Sequence, residues 1–150
     1  MVLVRISSQI KDIREIINIL DKSNKIYQVL NPDYIISKKQ VEIAYELSKK
    51  AFKDKRNKAK SINNEILLWI CSEKHVSRAI QKAGAKETND FFLFYEWDDI
   101  NKILNEIKAK KKKLVFTPDL TIFQLNKNTL KNYKLEDIIL EKMAVSYLER

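Results

Sequence analysis

Only one of the 150 residues is a glycine, Gly84. A phosphate-binding loop, a dinucleotide-binding turn and a nucleophile elbow each need several glycines, because the backbone must turn sharply or approach a ligand closely. The chain also has one histidine, His75, and one cysteine, Cys71, which exclude two-histidine zinc motifs, cysteine-pair metal sites and an intrachain disulfide. We therefore expect no catalytic activity, no cofactor and no metal site.

The length and the apolar content predict one folded domain over residues 1–150. A chain of this length ordinarily forms a single domain, and a 45% share of apolar residues is enough to build a core. No apolar run is long enough to span a membrane, and the first residues turn polar too soon for a signal peptide. We expect a cytoplasmic protein that does not associate with membranes.

Apolar patterning predicts an α+β fold class. Short apolar or alternating runs predict strands at 2–6, 25–30, 91–95, 114–116 and 121–125, with a charged turn at 110–113. Apolar residues at helical spacing predict several helices, the last over 135–148. The expected N-caps of the others are Ser7 or Ser8, Ser37, Ser61, Ser72 and Asp98. The prediction is a small, mostly antiparallel sheet packed with several α-helices in a single domain.

Local signals define some of these helices more closely. Ser37 with Gln40 three positions later forms a capping box. The run 66–71 is apolar on every side, which predicts a central, buried helix. In the helix that follows, Ile80 is expected to point inward, and Gly84 is expected to end the helix in the left-handed conformation.

The positive charge of the chain is concentrated in two short segments. Residues 37–60 hold nine basic and three acidic residues, and residues 107–113 hold five lysines and no acidic residue, within a formal net charge of +9. Such clustering is typical of proteins that contact nucleic-acid phosphates. The alternative is a solvated surface whose lysines keep the protein soluble.

Two segments carry a resemblance to a known family. They are NPDYIISKKQVEIAYELSKKAF, residues 31–52, and NNEILLWICSEKHVSRAIQKAG, residues 63–84. They resemble the small regulatory subunit of the archaeal and eukaryotic KEOPS complex, the PRPK-binding protein family, in its archaeal type. The matching positions are Ile36, Ala44, Ala51, Phe52, 65–68, Ala79, Ile80 and Gly84. The chain departs from the family pattern near Ser72, where a glycine is often found, and at His75 and Val76, which replace Gln-Ile.

The resemblance implies a fold and a function. Such subunits have a central sheet packed with helices and no activity of their own. They bind and regulate the kinase-like ATPase of the complex, a member of the PRPK family, and they recruit tRNA through its single-stranded 3′ CCA end. The complete complex, with its threonylcarbamoyl transferase subunit as an indirect partner, makes threonylcarbamoyladenosine in tRNA. The alternative is a stand-alone basic protein that binds RNA or DNA without a kinase partner.

Resemblance and charge together select candidate contact residues. The expected tRNA-binding residues are Lys38, Lys58, Lys60, Asn64, Lys74, His75, Arg78 and Lys82. For the kinase partner we expect the apolar stripe of the last helix, Ile139, Met143 and Tyr147, which could instead belong to the core. Arg78 could equally form a surface ion pair with Glu73.

Overall fold

A four-stranded antiparallel sheet organises the computed structural model, which describes residues 1–123 and 134–149. The strand order is β2-β3-β1-β4. The strands are β1 (Val2–Ser8), β2 (Tyr27–Leu30), β3 (Phe91–Tyr95) and β4 (Ala109–Lys112). The helices in the described ranges are α1 (Ile13–Asp21), α2 (Lys38–Lys53), α3 (Ile62–Cys71), α4 (Val76–Ala83), α5 (Asn101–Glu106) and α6 (Leu135–Glu149), with 3-10 helices at Pro32–Tyr34 and Leu120–Phe123. These elements confirm the predicted α+β class.

Helices cover both faces of the sheet, because β3 is apolar at every position. Side chains alternate between the faces of a strand, so Phe92 and Phe94 lie on one face while Phe91 and Leu93 lie on the other. The first pair packs in a core built with α2, α3, α4 and α6. The second pair packs in a separate core built with α1 and α5. A strand buried on both sides appears in sequence as a continuous apolar run, as predicted.

Helix α3 is the central helix of the larger core. Residues 65–70 are all buried, and the Trp69 side chain is fully enclosed. Its cap is the predicted one, since the Ser61 hydroxyl accepts a hydrogen bond from the Asn64 amide at 3.3 Å. Ser37 caps α2 in the same way, by accepting from the Gln40 amide at 3.2 Å. The caps Ser37 and Ser61 are therefore confirmed. The capping box is formed only in part, because the Gln40 side chain accepts from the Ile36 amide at 2.9 Å rather than from the Ser37 amide.

The N-caps predicted at Ser7 or Ser8 and at Asp98 are wrong. Ser8 ends β1, and its hydroxyl donates to the Ile107 carbonyl at 2.6 Å, so the carboxylate of Asp12 caps α1 instead. Helix α5 has no side-chain cap at its N-cap residue, Ile100, and the amide of its first residue, Asn101, donates to the Asp99 carboxylate, 3.3 Å away. Asp98, the predicted cap, instead lies 3.2 Å from the N-terminal ammonium.

The predicted N-cap at Ser72 and the predicted left-handed conformation of Gly84 are wrong as well. Ser72 does not start a helix; it follows the last residue of α3 in the left-handed region, with φ 51°. Gly84 is extended, with φ −67°, and forms a bridge to Leu30 of β2. A Cβ atom at position 84 would lie 2.6 Å from the Ile80 carbonyl oxygen. Glycine is thus required because residue 84 lies close to the last turn of its own helix, not because it adopts a left-handed conformation.

In the second basic segment, residues 107–113, the structure forms a strand where a turn was predicted, and it forms no strand in the residues directly after it. Residues 110–112, part of the turn predicted over 110–113, belong to the edge strand β4 (Ala109–Lys112), while residues 114–116, expected in a strand, form none. The side chain of Arg5 holds this segment, donating to the Val115 carbonyl at 2.7 Å and the Thr117 hydroxyl at 3.0 Å. The strand predicted at 121–125 is wrong for residues 121–123, which lie in a 3-10 helix, and its remainder lies outside the described residues.

Replacing Ser72 with glycine is expected to stabilise the protein. A side chain in the left-handed region costs about 1–2 kcal/mol, and the greater freedom of glycine in the unfolded chain offsets about 0.4–1 kcal/mol of that gain. Thermal unfolding of Ser72→Gly should therefore show a Tm higher by about 2–4 °C.

The matched control is Ser77→Gly, which places glycine inside α4, where the backbone is helical, and should lower the Tm. A lower Tm for Ser72→Gly would contradict the assigned strain.

Candidate functional site

A cavity of about 360 Å³ opens at the β2 edge of the sheet, between α1, α3 and α4. Its walls combine apolar and polar groups. The apolar side chains of Ile17, Leu67 and Ile80 line it together with polar groups from the start of α3, among them Asn63 and Asn64. We call this cavity the groove.

The first turn of α3 connects the groove to the sheet. Asn63 accepts a hydrogen bond from the Tyr27 amide at 3.1 Å through its side chain, and from Gln28 Nε2 at 2.6 Å through its carbonyl. These bonds fix the helix start against β2. Asn64, the next residue, adds an amide that can both donate and accept to the lining of the groove. The N-terminal end of α3 also bears a partial positive charge, which favours anions there.

A buried carboxylate fixes the basic loop that leads into α3. Glu65 is fully buried and accepts hydrogen bonds from the backbone amides of Lys58, at 3.0 Å, and Ala59, at 2.8 Å. Ala59 is buried as well, whereas Lys58 and Lys60 on either side of it are exposed. The loop therefore presents two ammonium groups from an anchored backbone, directly before the cap residue Ser61 of the groove.

Helix α4 carries two of the predicted tRNA-binding residues, Arg78 and Lys82. Ile80, on one side of this helix, lines the groove, whereas Lys82 lines a second cavity of about 230 Å³. Lys82 lies 2.8 Å from the Glu73 carboxylate, and this hydrogen bond holds the pKa of Glu73 below its usual value. Arg78 lies 4.0 Å from the same carboxylate. Both cations thus share Glu73 as their partner. The pair of Arg78 with Glu73 is the surface ion pair that the sequence offered as the alternative to tRNA binding.

The other predicted residues lie around these two groups. Lys74 and His75 are exposed just before α4. Lys38 is the first residue of α2, where its ammonium lies 3.6 Å from Glu42. Lys58, Lys60 and Asn64 thus lie at or just before the start of α3, whereas Lys74, His75, Arg78 and Lys82 lie on α4 or directly before it.

Sequence reasoning missed one wall of the groove. Helical spacing placed Ile80 in the core, yet the residue is 46% exposed. Its neighbours Ala79 and Ala83 are small and buried, so α4 packs closely on the core through them and leaves the larger side chain beside the groove. The sequence did contain a sign of this arrangement. Ala79 and Ala83 lie one turn apart and are small enough for close helix packing, whereas the larger Ile80 lies off that stripe.

The residues predicted to bind the kinase hold α6 to its own chain. Ile139 and Met143 are buried in the larger core, and the Tyr147 ring lies 5.9 Å from that of Trp69. Ile139 and Met143 therefore belong to the core, which was the alternative to a role in kinase binding. On its outer side α6 exposes Val145 and, to 81%, Leu148.

The sole cysteine is shielded rather than reactive. Burial raises the pKa of the Cys71 thiol to about 12, and its Sγ lies 3.8 Å from the Ala79 carbonyl oxygen. In the described ranges, no group of three or more His, Cys, Asp or Glu side chains could hold a metal ion. Among the helices of residues 1–123 and 134–149, none is long and apolar enough to cross a membrane.

Removing the Glu65 carboxylate is expected to destabilise the protein and its basic loop. In Glu65→Ala two backbone amides lose their acceptor, and each unsatisfied buried group costs about 1–3 kcal/mol. Urea denaturation should show the free energy of unfolding lower by about 2–6 kcal/mol. Glu65→Gln keeps one acceptor oxygen and should lose less. If Glu65→Ala unfolds at the same urea concentration as the wild type, the two hydrogen bonds are not what anchors the loop.

The sequence matches one known protein family over most of its length. A family model described as kinase binding protein CGI-121 matches residues 7–147. No curated protein matches the chain. The matched range contains the groove, the basic loop and α6 up to Tyr147, and it agrees with the resemblance found in residues 31–52 and 63–84. The chain belongs to the kinase binding protein CGI-121 family.

Proposed function

We propose that this chain is a non-catalytic regulatory subunit of a KEOPS complex in the cytoplasm. In this role it binds the kinase-like ATPase subunit and brings tRNA to the complex through the 3′ CCA end. Family membership supports the kinase part, because binding to a kinase describes the family. The groove supports the tRNA part and is the observation that carries it.

The groove combines what an unpaired RNA end requires. Unstacked bases need apolar surfaces for their faces and hydrogen-bonding groups for their edges. Ile17 and Ile80 supply the first, and the Asn64 amide supplies the second. The phosphates need cations, which Lys58 and Lys60 place on the anchored loop before α3. The positive end of the α3 dipole acts in the same direction.

Substitutions in the groove and on the loop before α3 are expected to separate recognition of the RNA end from general attraction to phosphate. The wild type should bind intact tRNA more tightly than tRNA without its CCA end. Ile80→Asp should remove this preference, since it puts a carboxylate on the apolar wall. Lys60→Gln should weaken binding to both RNAs and lower the salt dependence by about one ion, as expected for one phosphate contact. Filter binding at several salt concentrations measures all three effects.

The control for these variants is Lys22→Gln, an exposed lysine outside the groove, which should behave like the wild type. Equal affinity of the wild-type protein for the two RNAs would refute the assignment of the groove to the CCA end.

The outer side of α6 is the surface that best suits the kinase. Val145 and Leu148 are exposed there, and a shallow cavity of about 400 Å³ lies alongside, lined by Ile138, Val145 and Ser146 among others. Exposed apolar side chains at helical spacing are typical of a helix that packs against a partner. Because the opposite side of α6 is anchored in the core, this surface is available without rearrangement.

Charging this surface is expected to release the kinase. In Val145→Asp/Leu148→Asp, association would bury two unpaired carboxylates, so co-purification with the kinase-like ATPase should fall at least tenfold. Ile80→Asp is the matched control, since it charges an exposed apolar residue of the groove and should leave kinase binding intact.

Full kinase binding by Val145→Asp/Leu148→Asp would show that another surface docks the partner. A chain that binds RNA but retains no kinase would instead be the stand-alone nucleic-acid-binding protein of the alternative hypothesis.

A further inference from the structure

The second basic segment forms a row of charge along one edge of the sheet. Strand β4 is the edge opposite the groove, and Lys110, Lys111 and Lys112 belong to it, with Lys113 directly after it. All four lysines are exposed. We call these four residues the lysine edge.

The register of β4 determines how these charges are displayed. Lys110 lies opposite Ser7 and Lys112 lies opposite Arg5, so both project from the sheet face that carries Arg5. Lys111 lies opposite Ile6 and projects from the other face. Residues two apart on a strand are separated by about 6.7 Å. The edge thus presents closely spaced cations on both of its sides.

Most of this charge has no counter-charge within the protein. Lys112 lies 3.1 Å from Asp90, but that carboxylate already accepts two hydrogen bonds from Arg5 at 2.8 Å. The two cations hold the pKa of Asp90 at about 2, so it stays ionised. In the part of the chain that the structure describes, Lys110, Lys111 and Lys113 are in no ion pair. The local surplus is a cost in self-repulsion unless an anion neutralises it.

A dense row of lysines suits phosphate better than it suits a protein surface. Lysine on an edge strand prevents two sheets from pairing, but one or two charges suffice for that purpose. Pairing with a second copy would put lysines opposite lysines, which is destabilising. Lysine is also depleted from protein–protein interfaces. Phosphate contacts, by contrast, use many lysines in a row, since each ammonium is a mobile point charge.

We propose that the lysine edge binds the phosphate backbone of duplex RNA. The edge lacks exposed aromatic side chains within β4, and single strands need these as stacking platforms. The proposal rests on the RNA-binding function proposed above and adds a second contact to it. Groove and lysine edge are separated by three strand spacings, about 14 Å at 4.8 Å each. One RNA that has an unpaired end next to a duplex can occupy both, and the two contacts then reinforce each other.

A blunt RNA duplex tests the lysine edge separately from the groove. Lys110→Gln/Lys111→Gln should bind the duplex at least tenfold more weakly at low salt and lower the salt dependence by about two ions. Lys22→Gln/Lys142→Gln removes the same charge from exposed positions elsewhere and should change the affinity much less. With tRNA, the lysine-edge variant should lose affinity by the same factor for the intact RNA and for the RNA without its CCA end.

The outcomes separate this proposal from the function of the groove. Equal duplex affinities of the two double variants would overturn the lysine edge, whatever the groove variants do. If Lys110→Gln/Lys111→Gln keeps its RNA affinity but loses binding to polyglutamate, the edge serves an acidic protein segment and the proposal is wrong. A wild type that binds the duplex but shows no preference for the CCA end would instead overturn the groove and leave the lysine edge supported.

Discussion

The burial of β3 on both faces is the constraint on which the rest of the structure depends. All five of its residues are buried, and each large apolar side chain contributes about 1.5–3 kcal/mol when it is fully removed from water. Neither face of the sheet can therefore stay open. Helices α1 and α5 cover one face, and the other described helices cover the second. With both faces occupied, the edges of the sheet remain for contacts, and the groove and the lysine edge lie at opposite ones.

The buried carboxylate of Glu65 fixes the backbone of the loop that carries two exposed lysines. Glu65 belongs to the central helix, and its carboxylate is the acceptor for the loop that carries Lys58 and Lys60. A flexible lysine loses side-chain freedom when it binds a phosphate, but the backbone of this loop is already ordered. The anchored loop therefore loses less conformational entropy on binding than a mobile one. The same buried residue serves the stability of the core and the arrangement of the basic surface.

Local signals made part of this fold predictable. Strand β3, helix α3 and the caps Ser37 and Ser61 follow from apolar runs and from hydroxyl groups before helices. Strand β4 was missed, because an alanine followed by three exposed lysines shows no apolar alternation, and these residues acquire their strand geometry from non-local pairing with β1. Asn64 in the groove and Lys60 on the loop before it were predicted from the family resemblance and the charge together. Ile80 was not, because its exposure depends on how closely α4 packs against its neighbours.

The one glycine stands where the structure has no room for a side chain. Where α4 ends against β2, the backbone of residue 84 comes so close to the preceding helical turn that even a methyl group has no room. The same residue lines the groove. A side chain at position 84 would collide with the carbonyl group of Ile80, so a substitution here would displace the backbone at one wall of the groove. A position that resembles an ordinary helix end in the sequence therefore constrains the shape of the groove through the backbone.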